Sequence, residues 1–148
     1  NHNPQFKIVL MNILFLCVGN SARSQIAEGI ARQMFGKSHT MHSAGSNPTG
    51  FVHPGAIDTL SDLGIDISKN KSKSIEDLDT SFLNNLDFVI TLCAEEICPV
   101  LPIKAKLLRW MHEDPANEKF NEIESKLAFK KVRDNIYNLL KKFMIDNL

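Results

Sequence analysis

A thiol and a guanidinium stand six positions apart in Cys17-Val18-Gly19-Asn20-Ser21-Ala22-Arg23-Ser24. An apolar run precedes this segment and a helical pattern follows it, so it reads as a loop that opens a helix. Backbone N–H groups in such a loop converge inward, and the helix dipole adds partial positive charge. A tetrahedral oxyanion fits that cradle, and the same field favours a thiolate nucleophile at its base. Arg23 offers a planar fork of donors to two oxyanion oxygens, a geometry Lys lacks. No Gly-Lys-Ser/Thr follows, which excludes a nucleotide-binding P-loop. A buried strand-end Cys with a merely capping Arg leaves the coincidence of strand, spacing and helix start unexplained.

Other reactive residues are fewer. Cys93 and Cys98 bring the cysteine count to three, odd and too small for a disulfide scaffold. That count points to a reducing compartment, with cysteines acting as core hydrophobes, ligands or reagents. A zinc half-site of Cys93, Cys98 and His112 lacks the second ligand pair of structural zinc sites. Asp114-Pro115 alone reads as a turn or helix start. His39, His42 and His53 read as surface or packing residues. The 148 residues favour one domain, with 43% hydrophobic and 23% charged residues of ordinary globular character. Lys plus Arg equals Asp plus Glu at 17 each, so no global field recruits nucleic acid or a membrane surface.

The elements that must position these groups alternate. Asn12 to Val18 is a buried strand; with Lys7 ahead of it the run has a signal-peptide outline, but it is too short to span a bilayer. Residues 1–10 precede the first Met and read as an upstream extension or cloning remnant, leaving 11–148 as the domain. A helix is expected from Ser24 to about Phe35, stopped by Gly36. A short strand, Thr40 to Ser43, leads into the loop Ala44-Gly45-Ser46-Asn47-Pro48. Pro54 to Leu63 reads as a helix with Gly64 after it. Residues 66–81 are polar and carry Lys69, Lys71 and Lys73. Asp87 to Leu92 and Ala105 to Trp110 read as strands. In the last helix Ile123, Leu127, Val132, Ile136, Leu139, Leu140 and Phe143 form the docked stripe, with Lys126, Lys130, Lys131, Lys141 and Lys142 solvated. The class is α/β: one domain with a central four-stranded parallel sheet and helices on both faces.

The loop through Gln25 resembles the active-site loop of low-molecular-weight protein tyrosine phosphatases. It is most similar to their relatives, the three-cysteine, thioredoxin-coupled arsenate reductases, which carry Asn-Ser before the arginine and Ser-Gln after it. Ser43-Ala44-Gly45, His53-Pro54, Ile65-Asp66-Ile67-Ser68, Thr91-Leu92-Cys93, Cys98-Pro99 and Asp114-Pro115 extend the likeness over residues 11 to about 145. The resemblance implies that residues 17–24 bind arsenate, with phosphate or sulfate as mimics, and that Cys17 attacks it. Asp114 would protonate the departing oxygen. Cys93 would then attack the Cys17 sulfur and release arsenite, and Cys98 would move the disulfide to where thioredoxin, or a glutaredoxin, can reduce it. The expected enzyme is a cytoplasmic monomer without a cofactor or metal.

Behind the loop, Asn20, Ser24, Glu28 and Ser43 match support positions, and in some members Asn20, Glu28 and Ser43 match a potassium site. Here Lys73 stands where an Asp is expected, so its ammonium replaces the ion and reaches towards Asn20 and Glu28. Two alternatives stand. A tyrosine phosphatase needs aromatic walls, but Ala116-Asn117 follow Asp114-Pro115 and the only Tyr, Tyr137, is in the last helix. A non-catalytic oxyanion-binding module needs neither Asp114 nor relay cysteines. The 93–98 spacing adds a constraint: on an intact helix those Cα atoms lie roughly 8–9 Å apart. A disulfide tolerates about 7 Å, so the bridge requires an unwound segment.

Overall fold

Every residue of Ile13-Leu14-Phe15-Leu16 is fully buried, which explains why the first strand lacks polar alternation: it is covered on both faces. The computed structural model describes residues 10–94 and 104–148, so Cys98 lies outside the described residues. Within them the elements are β1 (Asn12–Cys17), α1 (Arg23–Phe35), β2 (Thr40–Gly45), α2 (Pro54–Ser61), α3 (Thr80–Asn84), β3 (Phe88–Thr91), β4 (Lys106–Arg109) and α4 (Glu122–Asn147). The strands form one parallel sheet in the order β2-β1-β3-β4, as the alternation of strands and helices predicts.

Alternate residues of β1 feed two cores. Ile13, Phe15 and Cys17 join Ile90, Leu92, Cys93 and the buried faces of α1, α2 and α4. Leu14 and Leu16 join Ala44, Val89, Leu78 and Phe82, a smaller layer under α3. Helix α4 docks through Phe129, Val132, Ile136, Leu140 and Phe143, and buried Arg133 ties it to α2 by donating Nη1–H to the Thr59 carbonyl at 3.0 Å. Ile123 and Leu127 are 72% and 61% exposed, contrary to the stripe expected from sequence. Leu127 lies two residues, and thus about 160° of helix, away from Phe129, so both cannot face the core.

Other boundaries shift by a residue or two, and two short elements are new. β2 continues through Ala44 to Gly45, because Cys17 pairs with Gly45 and the Gly45 N–H donates to the Lys73 carbonyl at 2.9 Å. α2 stops at Ser61, where its end tightens: Leu63 and Gly64 N–H groups reach back three residues, to Leu60 and Ser61. The polar stretch holds a one-turn 3-10 segment, Ile75–Asp77, closed by a reciprocal Ser74/Asp77 capping box, and then α3. In this order the chain leaves β1 towards β2 on one side and reaches β3 on the other. The crevice beyond the carboxyl ends of β1 and β3 is therefore the switch point where such sheets bind ligands. Cys17 and Cys93 both lie there.

Candidate active site

Four carbonyls define how the loop after β1 faces. Those of Cys17, Val18, Gly19 and Ser21 accept N–H groups from Ser46 (3.4 Å), Asn47 (2.9 Å), Thr49 (3.0 Å) and His53 (2.9 Å). In a trans peptide the N–H points opposite to the C=O. The N–H groups of Val18, Gly19, Asn20 and Ala22 therefore turn away from the 46–53 segment, and that of Asn20 ends on the Cys17 sulfur at 3.2 Å. Asn20 sits at φ +47°, the only positive φ outside glycine among the described residues, in the left-handed region that Asn tolerates well. Gly45 allows the close approach, since a Cβ there would lie 2.3 Å from the Val18 oxygen.

Buried hydrogen bonds fix the donor directions. Asn20 Nδ2 donates to Ser24 Oγ (2.8 Å) and Ser43 Oγ (2.9 Å). Ser24 Oγ lies 2.8 Å from Cys17 Sγ, where either atom can donate, so the sulfur is held between the Ser24 hydroxyl and the Asn20 N–H. Asn20 Oδ1 accepts from Gln25 Nε2 and from the Lys73 backbone N–H, both at 3.0 Å. Ser43 in turn donates to Glu28 Oε1 at 3.0 Å. Glu28 is buried and also meets Asn70 Nδ2 at 3.2 Å, with Arg32 and Lys73 nitrogens each 3.6 Å away. Burial pushes the Lys73 ammonium below its ordinary range, and Glu28 partly offsets this. The lysine approaches Glu28 as the sequence leads one to expect, but only its backbone N–H reaches Asn20.

Arg23 is buried and donates Nη1–H to the His112 carbonyl at 2.9 Å. That tie joins the loop to the segment carrying Asp114, two residues further on. Asp114 is exposed, accepts the Ala116 N–H at 3.0 Å, and lines an open pocket of about 530 Å³ with Ala94, Glu113 and Lys119. Cys93 is buried in the same cluster as Cys17; Cys93 is disulfide-bonded, whereas Cys17 is a free thiol.

Cys17, Asn20, Arg23, Ser24, Glu28, Ser43 and Lys73 thus stand in or against one bonded assembly, with Asp114 linked through His112. Sequence reasoning missed Asn70, Ser72, whose hydroxyl donates to the Gly19 carbonyl at 2.9 Å, and the carbonyl brace from residues 46–53. The three histidines do pack: His39 against Phe35, His42 against Phe82 and His53 against Phe129.

The family model described as low molecular weight phosphotyrosine protein phosphatase matches residues 12–148. An arsenate reductase of Bacillus subtilis (strain 168) is 44% identical over 133 residues, spanning 88% of this chain and 93% of that one. A solved structure described as an arsenate reductase in the phosphate binding state aligns with a TM-score of 0.75 at 29% identity, over 93% of this chain and 98% of that one. A thioredoxin-dependent arsenate reductase of Corynebacterium glutamicum aligns with a TM-score of 0.67 at 27% identity, over 96% of this chain and 66% of that one.

Proposed function

The chain belongs to the low molecular weight phosphotyrosine protein phosphatase family, and from that premise we propose that it reduces arsenate to arsenite. The observation that carries the reading is the pairing of two cysteines with one oxyanion loop. Cys17 is a free thiol at the base of the loop, and Cys93 shares its core cluster at the end of the adjacent strand. A phosphatase needs only the first; a two-electron reduction needs a dithiol.

Residues 11–148 act as the catalytic unit. Arsenate enters the cradle of N–H groups, with Arg23 on its oxygens. The Cys17 thiolate attacks arsenic, and one oxygen leaves as water with a proton from Asp114. Cys93 then attacks Cys17 Sγ. The S–As bond breaks, its electron pair stays on arsenic, and arsenite departs from a Cys17–Cys93 disulfide. Cys98 attacks Cys93, frees Cys17, and leaves a Cys93–Cys98 disulfide for a protein dithiol of the thioredoxin type, or a glutaredoxin. That cycle suits the cytoplasm, where thiols are kept reduced. Phosphate has nearly the same shape and charge, so slow phosphatase turnover is expected from the same loop.

The test is arsenite release in the presence of thioredoxin, thioredoxin reductase and NADPH. Cys98→Ser should release about one equivalent and stall as the Cys17–Cys93 disulfide, readable by peptide mapping. Cys93→Ser should stall before arsenite leaves. Sustained turnover by Cys98→Ser would replace the three-step relay with a two-cysteine mechanism.

A further inference from the structure

His112 makes three contacts that no other residue in its loop combines. Its N–H donates to the Leu92 carbonyl at 3.1 Å, next to Cys93. Its carbonyl receives Arg23 Nη1 at 2.9 Å. Its ring Nδ1 lies 2.9 Å from the Trp110 carbonyl, which can only accept, so Nδ1 carries the proton. Around it the backbone has left β4, and two backbone bonds still tie it to the end of β3, Trp110 N–H to Thr91 O at 2.8 Å and the His112 N–H to Leu92 O. The imidazole adds a third tie within residues 110–112, and the turn it closes presents the carbonyl to the guanidinium.

We propose that His112 is a positioning residue for Arg23, its ring setting the carbonyl that orients the oxyanion fork. The inference rests on the oxyanion-loop reading above. Holding Nη1 fixes one end of a planar group, which fixes the plane in which its other nitrogens approach an oxyanion. Without the ring N–H, the half-buried Trp110 carbonyl loses its partner and only the His112 N–H to Leu92 bond still holds residue 112, so the acceptor that Arg23 binds is less firmly oriented. Burial foremost, and the Arg23 charge, bias the imidazole towards its neutral form, so it supplies a hydrogen bond rather than a second cation.

Substitution separates the ring's hydrogen bond from its bulk. Asn places Nδ2 the same number of bonds from Cα as His Nδ1, and so restores the bond. Phe keeps the bulk without a donor, and Gln carries its donor one bond too far. Inorganic phosphate is the probe, titrated calorimetrically into the reduced full chain, with circular dichroism and thermal unfolding run on each variant. His112→Phe and His112→Gln should bind phosphate about three- to tenfold more weakly, the range of one lost hydrogen bond. His112→Asn should stay within twofold of wild type. In arsenate turnover the same variants should raise KM more than they lower kcat, since the fork grips ground and transition states alike. Wild-type phosphate affinity in folded His112→Phe, or equal weakening in His112→Asn, would overturn the proposal. If the phosphate pattern holds while wild type releases no arsenite, the assigned activity fails and the role of His112 stands.

Discussion

Asn20 is a residue whose loss the structure penalises sharply, and Asn20→Ala tests that. Its side chain makes four hydrogen bonds, three of them buried and one part-buried, to Ser24, Ser43, Gln25 and the Lys73 N–H, at 2.8 to 3.0 Å. At about 1 kcal/mol net for each, the set contributes about 4 kcal/mol. The φ of +47° adds about 1 kcal/mol against Ala. Shared partners make such terms less than additive, so the expected loss is about 3–4 kcal/mol. For a domain of this size that is a fall of roughly 10 °C in Tm. Asn20→Gly loses the same bonds but keeps an unstrained left-handed backbone, so it should be about 1 kcal/mol more stable than Asn20→Ala. Urea unfolding of the two variants and wild type, with all cysteines reduced, measures both differences. A loss below about 1 kcal/mol in Asn20→Ala would show that the network is not cooperative with folding. A Gly variant weaker than the Ala variant would show that backbone strain at this position has no energetic consequence.

Arg23→Lys should cost about 2–4 kcal/mol in kcat/KM for arsenate, because an ammonium cannot make the bidentate contact; Cys17→Ser should abolish both arsenate reduction and phosphatase turnover, and near-normal rates in either variant would remove that residue from its role. Replacing sodium with potassium should leave both rate and Tm unchanged, since the Lys73 ammonium already stands 3.6 Å from Glu28 and 3.5 Å from Ser43; a clear rise in either would mean that the cation position is not filled by the lysine. His112 has a folded pKa below its ordinary 6.5, chiefly through burial. Between those two values the unfolded chain holds the extra proton, so stability is present above pH 6.5 and falls as pH drops towards the folded pKa. His112→Asn cannot titrate, so its stability relative to wild type should rise between pH 7.5 and pH 5 in urea unfolding, and a constant difference would refute the assignment.

What the sequence reveals and what it hides divide along a physical line. Strand β1, α1 and the Cys17–Arg23 loop are legible because an apolar run, a helical period and a six-residue spacing are local signals, each visible within one window. The parallel order follows, because strands separated by helices have few other arrangements. The residues that hold the loop in place leave no such trace. Asn70, Ser72 and Lys73 lie in a stretch that reads as merely polar, yet Asn70 reaches Gln25 and Glu28 at 3.2 Å, and Ser72 reaches the Gly19 carbonyl. Their partners are about 45 residues or more upstream for Gln25 and Gly19, and 42 for Glu28, and no period relates them. Lys73 is the instructive case. Only its departure from an expected Asp singles it out in sequence, and only the fold shows that its two ends do different work: the ammonium faces Glu28, while the backbone N–H holds Asn20 Oδ1. Replacing Lys73 with a neutral or acidic residue other than proline therefore changes the charge beside Glu28 while leaving the backbone N–H for Asn20 in place. That separation is why the electrostatics behind the loop can vary with one residue without dismantling the loop itself.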